Sequence, residues 1–280
     1  MVNQKVQAAP DTASEQKLLE EMDEALALWS DSATRLREAL QNDELQLHHQ
    51  PILALRTGRF EMSEVLVRLR EEETLLLPPG EFLPAFEHCG MLPDLDRWVV
   101  RKVLQRLHDE GAGSLRSFGI NVSSQTLEDS AMPRFIAKEL MATGFAPDSL
   151  YFEIDESDVL SRLGPATEFV TAVKAIGCRV AIDGFGRQSV SFAPLKKLPV
   201  DFLKVDGSIV RNIPRSDMAL RKLDAMIRVG QAVGFDLIAE CVEEQDVLAR
   251  LKGLGVAYAQ GFGICEPQPM EKLARSQAHT

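Results

Sequence analysis

The stretch LYFEIDESDVLSRLGPATEFVTAVKAIGCRVAID, residues 150–183, decides the fold class. A short apolar run, Leu150–Ile154, is followed by Ser157–Ile176, in which apolar residues recur at three- and four-residue spacing. A second apolar run, Arg179–Ile182, comes next, and Gly177 fits the end of the helix between the two runs. Strand, helix and strand in this order predict a βαβ unit with two parallel strands.

The same alternation continues through the rest of the chain after Asn42. Further strands are predicted at Leu45–Leu53, Phe60–Leu69, Phe118–Val122, Phe202–Val205, Asp236–Ala239 and Ala257–Phe262. Further helices are predicted at Asp94–Leu107, Met132–Met141, Ser216–Val233 and Glu243–Leu254. About eight strands in roughly 230 residues favour a closed barrel over an open sheet. The predicted fold class is therefore α/β, a TIM-like (β/α)8 barrel.

The residues before the barrel have a different pattern. Residues 1–13 are predicted to be a disordered leader, and residues 14–43 a short helical N-terminal lead-in. Apolar residues recur at helical spacing from Ser14 to Leu28, and Asp31 or Ser32 could cap a second helix that ends near Leu40. The barrel domain is predicted over residues 44–280.

Composition excludes several classes of function. The 280 residues carry 31 basic and 42 acidic side chains, a formal net charge of −11, so bulk electrostatic binding to DNA, RNA or an anionic membrane is not expected. No apolar run approaches the roughly 18 residues that cross a bilayer, and no secretory signal is recognisable, so no membrane insertion is expected. Four widely separated cysteines favour free thiols in a reducing compartment.

Polar residues follow or close the predicted strands, where a barrel places its chemistry. They are Glu64, Asn121, Glu153, Asp183, Lys204, Glu240 and Gln260. Carboxylate and amide oxygens suit Mg²⁺, Mn²⁺ or Ca²⁺, and zinc is disfavoured. A lysine can neutralise a phosphate oxygen and a spare carboxylate can accept a proton from water, which suggests metal-assisted phosphoester hydrolysis. The alternative is that these residues are scattered, solvated strand ends.

Short motifs in a fixed order carry a family resemblance over residues 44 to about 272. They are Gln50-Pro51-Ile52, Ser63-Glu64-Val65-Leu66-Val67-Arg68, Pro79-Gly80-Glu81-Phe82, Asp96-Arg97-Trp98-Val99, Asn121-Val122-Ser123, Glu153-Ile154-Asp155-Glu156, Leu198–Asp206, Ala239-Glu240-Cys241-Val242-Glu243 and Gln260-Gly261-Phe262. In this order they resemble the EAL domain family, which comprises phosphodiesterases and receptors of the bacterial second messenger cyclic di-GMP. The resemblance implies an EAL-type barrel, cyclic di-GMP as ligand and a bacterial, cytoplasmic location.

The resemblance also implies a role for each matching residue. The first metal ion, Mg²⁺ or Mn²⁺, would be held by Glu64, Asn121, Glu153 and Asp183. In an active member Lys204 would lie near the scissile phosphate and Glu240 would be the general base. Ligand-binding positions are Gln50, Glu64, Leu66, Arg68, Asp96, Asn121, Asp183, Glu243, Gln260, Glu266 and Pro267.

Three of these assignments have structural alternatives. Asp96 could be a helix-start acid, Arg68 could pair with a neighbouring acid, and Gln50 could satisfy backbone groups.

The sequence departs from the family pattern after Asp183. Active members carry two adjacent aspartates there, whereas Gly184 follows Asp183 in this chain, so the resemblance implies that the second metal site is lost. The loop that begins at Arg187 lacks the small, glycine-rich composition that shapes the family dimer contact, which favours a monomer. Glu156, the position that anchors this loop, is retained.

The leading hypothesis is a degenerate EAL domain that binds cyclic di-GMP and relays the signal to a protein partner. The Cys265-Glu266-Pro267 segment and EVL in place of EAL resemble the degenerate EAL domains of pilus-associated GGDEF–EAL proteins, which would make the partner a PilZ-type protein in a type IV pilus system. The first alternative is an active metal-dependent phosphodiesterase that produces linear pGpG, in which water or Asp206 replaces the missing ligand. The second is an interaction scaffold that does not bind nucleotide.

Overall fold

The computed structural model describes residues 32–42, 44–70, 75–110, 115–187, 191–193, 195, 198–271 and 273. In this part of the chain the strands are β1 Leu45–Ala54, β2 Arg59–Arg70, β3 Leu76–Leu77, β4 Ser117–Asn121, β5 Leu150–Asp155, β6 Arg179–Phe185, β7 Phe202–Val205, β8 Asp236–Ala239, β9 Tyr258–Ala259 and β10 Gln268–Pro269. Eight of these strands overlap a predicted strand, whereas β3 and β10 were not predicted.

Ten α-helices lie in the same ranges of residues. They are α1 Ser32–Gln41, α2 Pro79–His88, α3 Leu92–Glu110, α4 Ser124–Leu127, α5 Met132–Thr143, α6 Glu156–Ser161, α7 Leu163–Ile176, α8 Gly207–Val210, α9 Asp217–Val233 and α10 Gln245–Leu254. Four of the helices, α5, α7, α9 and α10, end at glycines with positive φ, namely Gly144, Gly177, Gly234 and Gly255.

The sheet closes on itself, which confirms the predicted barrel. Its order is β1-β2-β4-β5-β6-β7-β8-β9, and β1 pairs with both β2 and β9. The six pairs from β2–β4 to β8–β9 are parallel, whereas β1 is antiparallel to both of its neighbours. The expectation of a parallel sheet is therefore wrong for one strand, since β1 and β2 form a hairpin joined by a short turn.

Two predicted elements differ from those observed, and helix α2 was not predicted. The helix predicted over Ser157–Ile176 is two helices, α6 and α7, because Arg162 between them has non-helical angles of φ −129° and ψ 46°. The strand predicted over Ala257–Phe262 is reduced to β9, since the backbone turns after it and Ile264 N–H donates to Gly261 O. The sequence also gave no indication of α2, which begins at Pro79 and contains Pro84.

The lead-in is described only in its last part. Helix α1 is observed where the second lead-in helix is predicted, and its Leu36 and Ala39 are buried in the main core. The predicted leader and the helix predicted over Ser14 to Leu28 lie outside the described residues, and the three-part division of the chain stays a prediction. No helix among the described residues has the length and apolar character needed to cross a bilayer.

The barrel interior has two layers of inward-facing side chains, because alternate residues of a strand face the same side. The lower layer is apolar apart from one glycine and consists of Ile52, Met62, Gly119, Tyr151, Ala181, Phe202, Ile238 and Tyr258. The upper layer is polar and consists of Gln50, Glu64, Asn121, Glu153, Asp183, Lys204, Glu240 and Gln260. Each upper-layer residue is two positions from a lower-layer residue, so each strand, with the residue that follows it in the case of β8 and β9, supplies both. A separate, larger core fills the space between the sheet and the helices.

Candidate functional site

Lys204 lies at the centre of the upper layer and is 1% exposed. Its Nζ is 2.9 Å from Glu64 Oε2 and 2.5 Å from Glu153 Oε2. The same nitrogen is 3.1 Å from Glu240 Oε1 and 3.2 Å from Asp183 Oδ1. Four carboxylates from four strands thus converge on one ammonium group, which excludes the alternative that these residues are scattered, solvated strand ends.

Three amide side chains connect the carboxylates to the rest of the rim. Asn121 Nδ2 donates to Glu64 Oε1 at 3.0 Å, and Gln260 Nε2 donates to Glu64 Oε2 at 2.8 Å. Gln260 Nε2 also donates to Gln50 Oε1, and Gln50 Nε2 donates to the Cys265 carbonyl at 2.9 Å. The alternative reading of Gln50 is therefore partly correct, since its amide satisfies a backbone group while it also belongs to the upper layer.

Burial and charge act against each other in this cluster. Burial alone would lower the pKa of Lys204, but Asp183, Glu153, Glu240 and Glu64 raise it well above its usual range. Burial, followed by repulsion from Glu64, raises the pKa of Glu153 well above normal, and burial raises the pKa of Glu240 to about 8. For Glu64 the effect of burial is outweighed by Lys204, Gln260 and Asn121, and its pKa is lowered. Lys204 therefore stays charged while two of the acids are driven towards their neutral forms.

The chemistry of this cluster fits a hard divalent cation. Glu64, Asn121, Glu153 and Asp183, the four predicted ligands, lie together and offer oxygen donors, which suit Mg²⁺ or Mn²⁺. Asp183 Oδ1 is buried and completes no hydrogen bond, although Lys204 Nζ lies 3.2 Å away, so the oxygen has capacity for a further cation. Among the described residues no three acidic, histidine or cysteine side chains are arranged around an open cation position. In this arrangement the Lys204 ammonium is the cation that the four carboxylates share.

A cavity of about 460 Å³ opens beside the upper layer and reaches Asn121. Its walls are mostly apolar and include Leu66, Leu92 and Val99, with acidic groups among them. This volume lies in the range of small-molecule sites, roughly 300–1,000 Å³. Of the predicted ligand-binding residues, Leu66, Asp96 and Asn121 line the cavity.

Asp96 is buried in the wall of this cavity and orients the loop after β4. Its Oδ2 accepts hydrogen bonds from Ser123 N, Ser123 Oγ and Thr126 Oγ1 at 2.9, 2.8 and 2.6 Å. None of these three bonds uses Oδ1. Burial raises the pKa of Asp96, which these hydrogen bonds partly offset. The helix-start alternative for Asp96 is wrong, because the carboxylate binds the β4–α4 loop and not the first turn of its own helix.

The remaining predicted ligand residues lie outside the upper layer. Arg68 Nη1 donates to the carbonyl of its neighbour Val67 at 2.9 Å. Glu243 and Glu266 are exposed, and Pro267 is partly buried in the same segment as Glu266. That segment touches the site through the Cys265 carbonyl. The ligand-binding roles of these four residues stay predictions.

One charged group at the rim was not identified as a site residue from the sequence. Arg187 Nε is 3.1 Å from Asp206 Oδ2, and Arg187 Nη1 is 3.1 Å from Asp155 Oδ2. Its hydrogen bond with Asp206 raises the pKa of Arg187 further. Glu156 Oε2 accepts from Gly186 N–H at 3.0 Å, so the acid expected to anchor this loop does contact it. Gly184 was the sequence signal for this arrangement, because a residue without a side chain leaves space for the side chain of another residue.

Two solved structures and one curated relative illustrate what the chain is similar to. The FimX EAL domain from Pseudomonas aeruginosa bound to c-di-GMP has 31% identity and a TM-score of 0.79, covering 85% of this chain and 96% of that one. A c-di-GMP complex of the PaMucR phosphodiesterase has 26% identity and a TM-score of 0.79, covering 87% and 99%. The cyclic di-GMP phosphodiesterase PdeB of Shewanella oneidensis is 30% identical over 240 residues, 85% of this chain and 28% of PdeB.

The chain therefore spans less than a third of PdeB, and only 40% of the length of another curated relative, a Mycobacterium bovis protein. The family described as "EAL domain" matches residues 33–267, most of the chain. This match agrees with the closed barrel and with the convergence of the rim residues, and the chain belongs to the EAL domain family.

Proposed function

We propose that the chain binds cyclic di-GMP in the cavity beside the upper layer and acts as a receptor that relays its presence to a protein partner. The observation that carries this proposal is the difference between the two predicted cation positions. The first cation set, which consists of Glu64, Asn121, Glu153 and Asp183, lies together, whereas Gly184 stands at the second position. Binding groups are present, but the residue after Asp183 offers no carboxylate for a second ion.

The cavity supplies groups that match the parts of the ligand. Its apolar walls, with Leu66, Leu92 and Val99, suit the faces of a purine base. Asp96 Oδ1 accepts none of the loop hydrogen bonds, and a guanine presents N–H donors that a carboxylate can accept. Asn121 lies both in the cavity wall and against Glu64, so a base in the cavity would have its phosphate near the cation set.

Binding and catalysis place different demands on this rim. In two-metal hydrolysis the two ions stabilise the attacking and leaving oxygens. Loss of one ion removes several kcal/mol of this stabilisation, and about 1.4 kcal/mol is tenfold in rate, so a slowing of at least about a thousandfold is expected. The base contacts do not depend on the second ion. Ligand binding without turnover is therefore the function these residues support best.

Calorimetric titration of cyclic di-GMP, with Mg²⁺ and then with Mn²⁺, tests the proposal. The same mixtures are analysed by chromatography for linear pGpG. Binding without pGpG is the expected result, and formation of pGpG with either metal would refute the receptor function. Absence of binding would refute both nucleotide functions and leave the interaction scaffold.

The binding mode is tested by Asp96→Asn, which keeps the shape of the side chain but removes its charge. We expect about tenfold weaker binding, since a hydrogen bond to a charged group contributes about 1.5–3 kcal/mol. The matched control is Asp94→Asn, because Asp94 is an exposed acid on the same helix. Equal affinities of the two variants would exclude the proposed contact with Asp96.

The alternative, an active phosphodiesterase, is favoured by a specific feature of the cluster. A bound Mg²⁺ or Mn²⁺ would stabilise charge on the phosphate oxygens. Lys204 would hold its ammonium near the phosphate, and the Glu240 carboxylate, 3.1 Å from Lys204 Nζ, would take a proton from water. In that case Glu240→Gln should abolish pGpG formation while binding is kept.

A route to a protein partner runs through the segment that contains Glu266 and Pro267. The carbonyl of Cys265 is bound by Gln50, which in turn contacts Gln260 in the upper layer. We propose a PilZ-type protein as the partner, a monomeric state for the chain and a cytoplasmic location. Co-elution of the chain with a PilZ-type protein, with and without cyclic di-GMP, tests the partner. A complex that forms equally with Glu266→Lys would exclude this segment as the contact.

A further inference from the structure

The guanidinium of Arg187 lies over Gly184, beside the predicted metal ligand Asp183. A Cβ atom added at Gly184 would overlap Arg187 Nη2 and would lie 2.8 Å from Arg187 Cζ. Gly184 has φ +65° and sits where the pairing of β6 with β7 is irregular. The space into which a side chain at this position would extend is therefore occupied by a positive charge.

Two carboxylates hold the guanidinium in this place, and both are themselves fixed. Asp155 Oδ1 accepts from Ser157 N at 2.8 Å, and Asp206 Oδ1 accepts from Ser208 N at 2.9 Å, so each caps the start of a helix. Their second oxygens bind Arg187 Nη1 and Nε. The arginine is thus held at two points although its side chain is 53% exposed.

The same carboxylates adjoin Asp183, one of the predicted ligands of the first ion, at the end of β6. Asp155 is the register partner of Asp183 in the parallel β5–β6 pair, and Asp206 N–H donates to Phe185 O at the end of β6. In two-metal sites the ions are about 3.5–4 Å apart, so the second ion requires acidic groups next to those of the first. Here those groups surround a guanidinium.

We infer that Arg187 is the fixed second cation of this site: its guanidinium takes the place of a second divalent ion and presents a positive charge to a phosphate of the ligand. Arginine cannot be deprotonated in proteins and binds phosphate with geometric specificity. The site would then combine at most one exchangeable ion with one permanent charge. The part concerning phosphate rests on the proposed nucleotide binding, whereas the part concerning ions does not.

Counting bound Mn²⁺ in the absence of nucleotide tests the ion exclusion. The double variant Gly184→Asp/Arg187→Ala should bind one more Mn²⁺ per chain than the wild type, measured by electron paramagnetic resonance of free Mn²⁺. Gly184→Asp alone should gain no ion, because the new carboxylate would meet the guanidinium. The matched control Gly184→Asn/Arg187→Ala has the same shape without the charge, and Asn and Asp both tolerate positive φ.

Three outcomes would overturn the ion exclusion: two Mn²⁺ ions bound to the wild type, a gain with Gly184→Asp alone, or no gain with the folded double variant. Thermal unfolding followed by circular dichroism establishes that each variant is folded.

A second measurement tests the phosphate contact and requires substitution of the exposed residue Arg187 alone. Cyclic di-GMP affinity in EDTA should fall about tenfold with Arg187→Ala and less with Arg187→Lys, because a charge-assisted hydrogen bond is lost. Arg228→Ala, a remote exposed arginine paired with Asp224, should leave it unchanged. Equal affinities of Arg187→Ala and the wild type would overturn the phosphate contact. Failure of the wild type itself to bind would instead refute the proposed function and leave the ion count valid.

Discussion

The lower and upper layers of the barrel interior are built by the same eight strands, two residues apart, yet they differ completely in chemistry. In the lower layer Tyr151 packs edge-on against Phe202, with 5.6 Å between ring centroids. In the upper layer four carboxylates surround Lys204. One layer is stabilised by burial of apolar surface and the other by mutual compensation of buried charges. The strands therefore position the chemistry while the layer beneath it provides the rigid support.

The largest effect is expected from removing the central charge of the upper layer. Lys204→Met leaves four carboxylates without their cation, and loss of one partner of a buried ion pair costs about 3–5 kcal/mol. We expect the free energy of unfolding, measured by urea denaturation at pH 7, to fall by about this amount. A loss below about 1 kcal/mol would mean that the upper layer does not depend on its ammonium.

Lys174→Met is the matched control for this variant. Lys174 Nζ binds Asp201 at 2.6 and 2.7 Å, but both side chains are more than a quarter exposed. Such pairs contribute about 0–1 kcal/mol. If both lysine variants lost a similar amount of unfolding free energy, burial would not explain the effect at Lys204.

His49 provides a second contrast with Lys204, because it is buried and has no acidic partner among the described residues. It adjoins Gln50 in β1, and its Nδ1 lies 2.9 Å from Ser63 Oγ. Burial, with a smaller contribution from His48, lowers the pKa of His49 to about 4. The unfolded chain therefore binds the proton more tightly, so stability is full above about pH 6.5 and falls as the pH decreases towards 4. The lowered pKa of His49 contributes about 3 kcal/mol to the free energy of unfolding at neutral pH.

Urea denaturation between pH 7 and pH 4 measures this contribution. His49→Asn should lose stability less steeply than the wild type over this interval, because the group that takes up the proton is gone. Identical pH profiles would show that His49 titrates normally in the folded protein.

The lower layer is tested at Gly119, where the space for a side chain is already filled. A Cβ atom there would overlap the Tyr151 hydroxyl and Glu153 Oε1. Forcing extra volume into a packed interior costs about 1–3 kcal/mol, so Gly119→Ala should lower the thermal midpoint and disturb Glu153 above it. Gly164→Ala is the control, since open space surrounds Gly164. An unchanged midpoint for Gly119→Ala would show that the two layers pack independently.

The smallest effect on stability is expected at Arg187, outside both layers. Its two ion pairs are solvent-accessible, and pairs of this kind contribute less than about 1 kcal/mol and weaken with salt. Arg187→Ala should therefore lower the unfolding free energy only slightly, and 1 M NaCl should abolish the difference. A loss as large as that of Lys204→Met would assign Arg187 a structural role.

Much of the upper layer could be predicted from the sequence, since each residue follows or closes an apolar run. The pattern "apolar, any residue, polar" occurs in Met62–Glu64, Tyr151–Glu153, Phe202–Lys204 and Ile238–Glu240. Residues two positions apart in a strand face the same side of the sheet. The apolar and the polar residue of each pair therefore both point into the barrel and lie in adjacent layers. The convergence of seven polar residues was predictable for this reason.

Other features could not be predicted because local pattern carries no information about them. Period-two alternation is the same in either strand direction, so it could not show that β1 is antiparallel. Pro84, inside α2, weakens the helical pattern of that segment. The position of Arg187 depends on Asp155 and Asp206, which are distant in sequence and meet only when the strand ends are side by side.

The reversed direction of β1 determines from which side the chain enters the barrel. In the seven parallel strands the chain runs from the lower layer towards the upper layer. Leu45, at the start of β1, pairs with Leu69 near the end of β2, so β1 runs in the opposite direction. Helix α1 therefore joins the barrel on the ligand side, and its Arg35 forms an ion pair with Glu44, the residue before β1. The incoming chain therefore reaches the upper-layer residue Gln50 within a few residues of α1, without first crossing the body of the barrel.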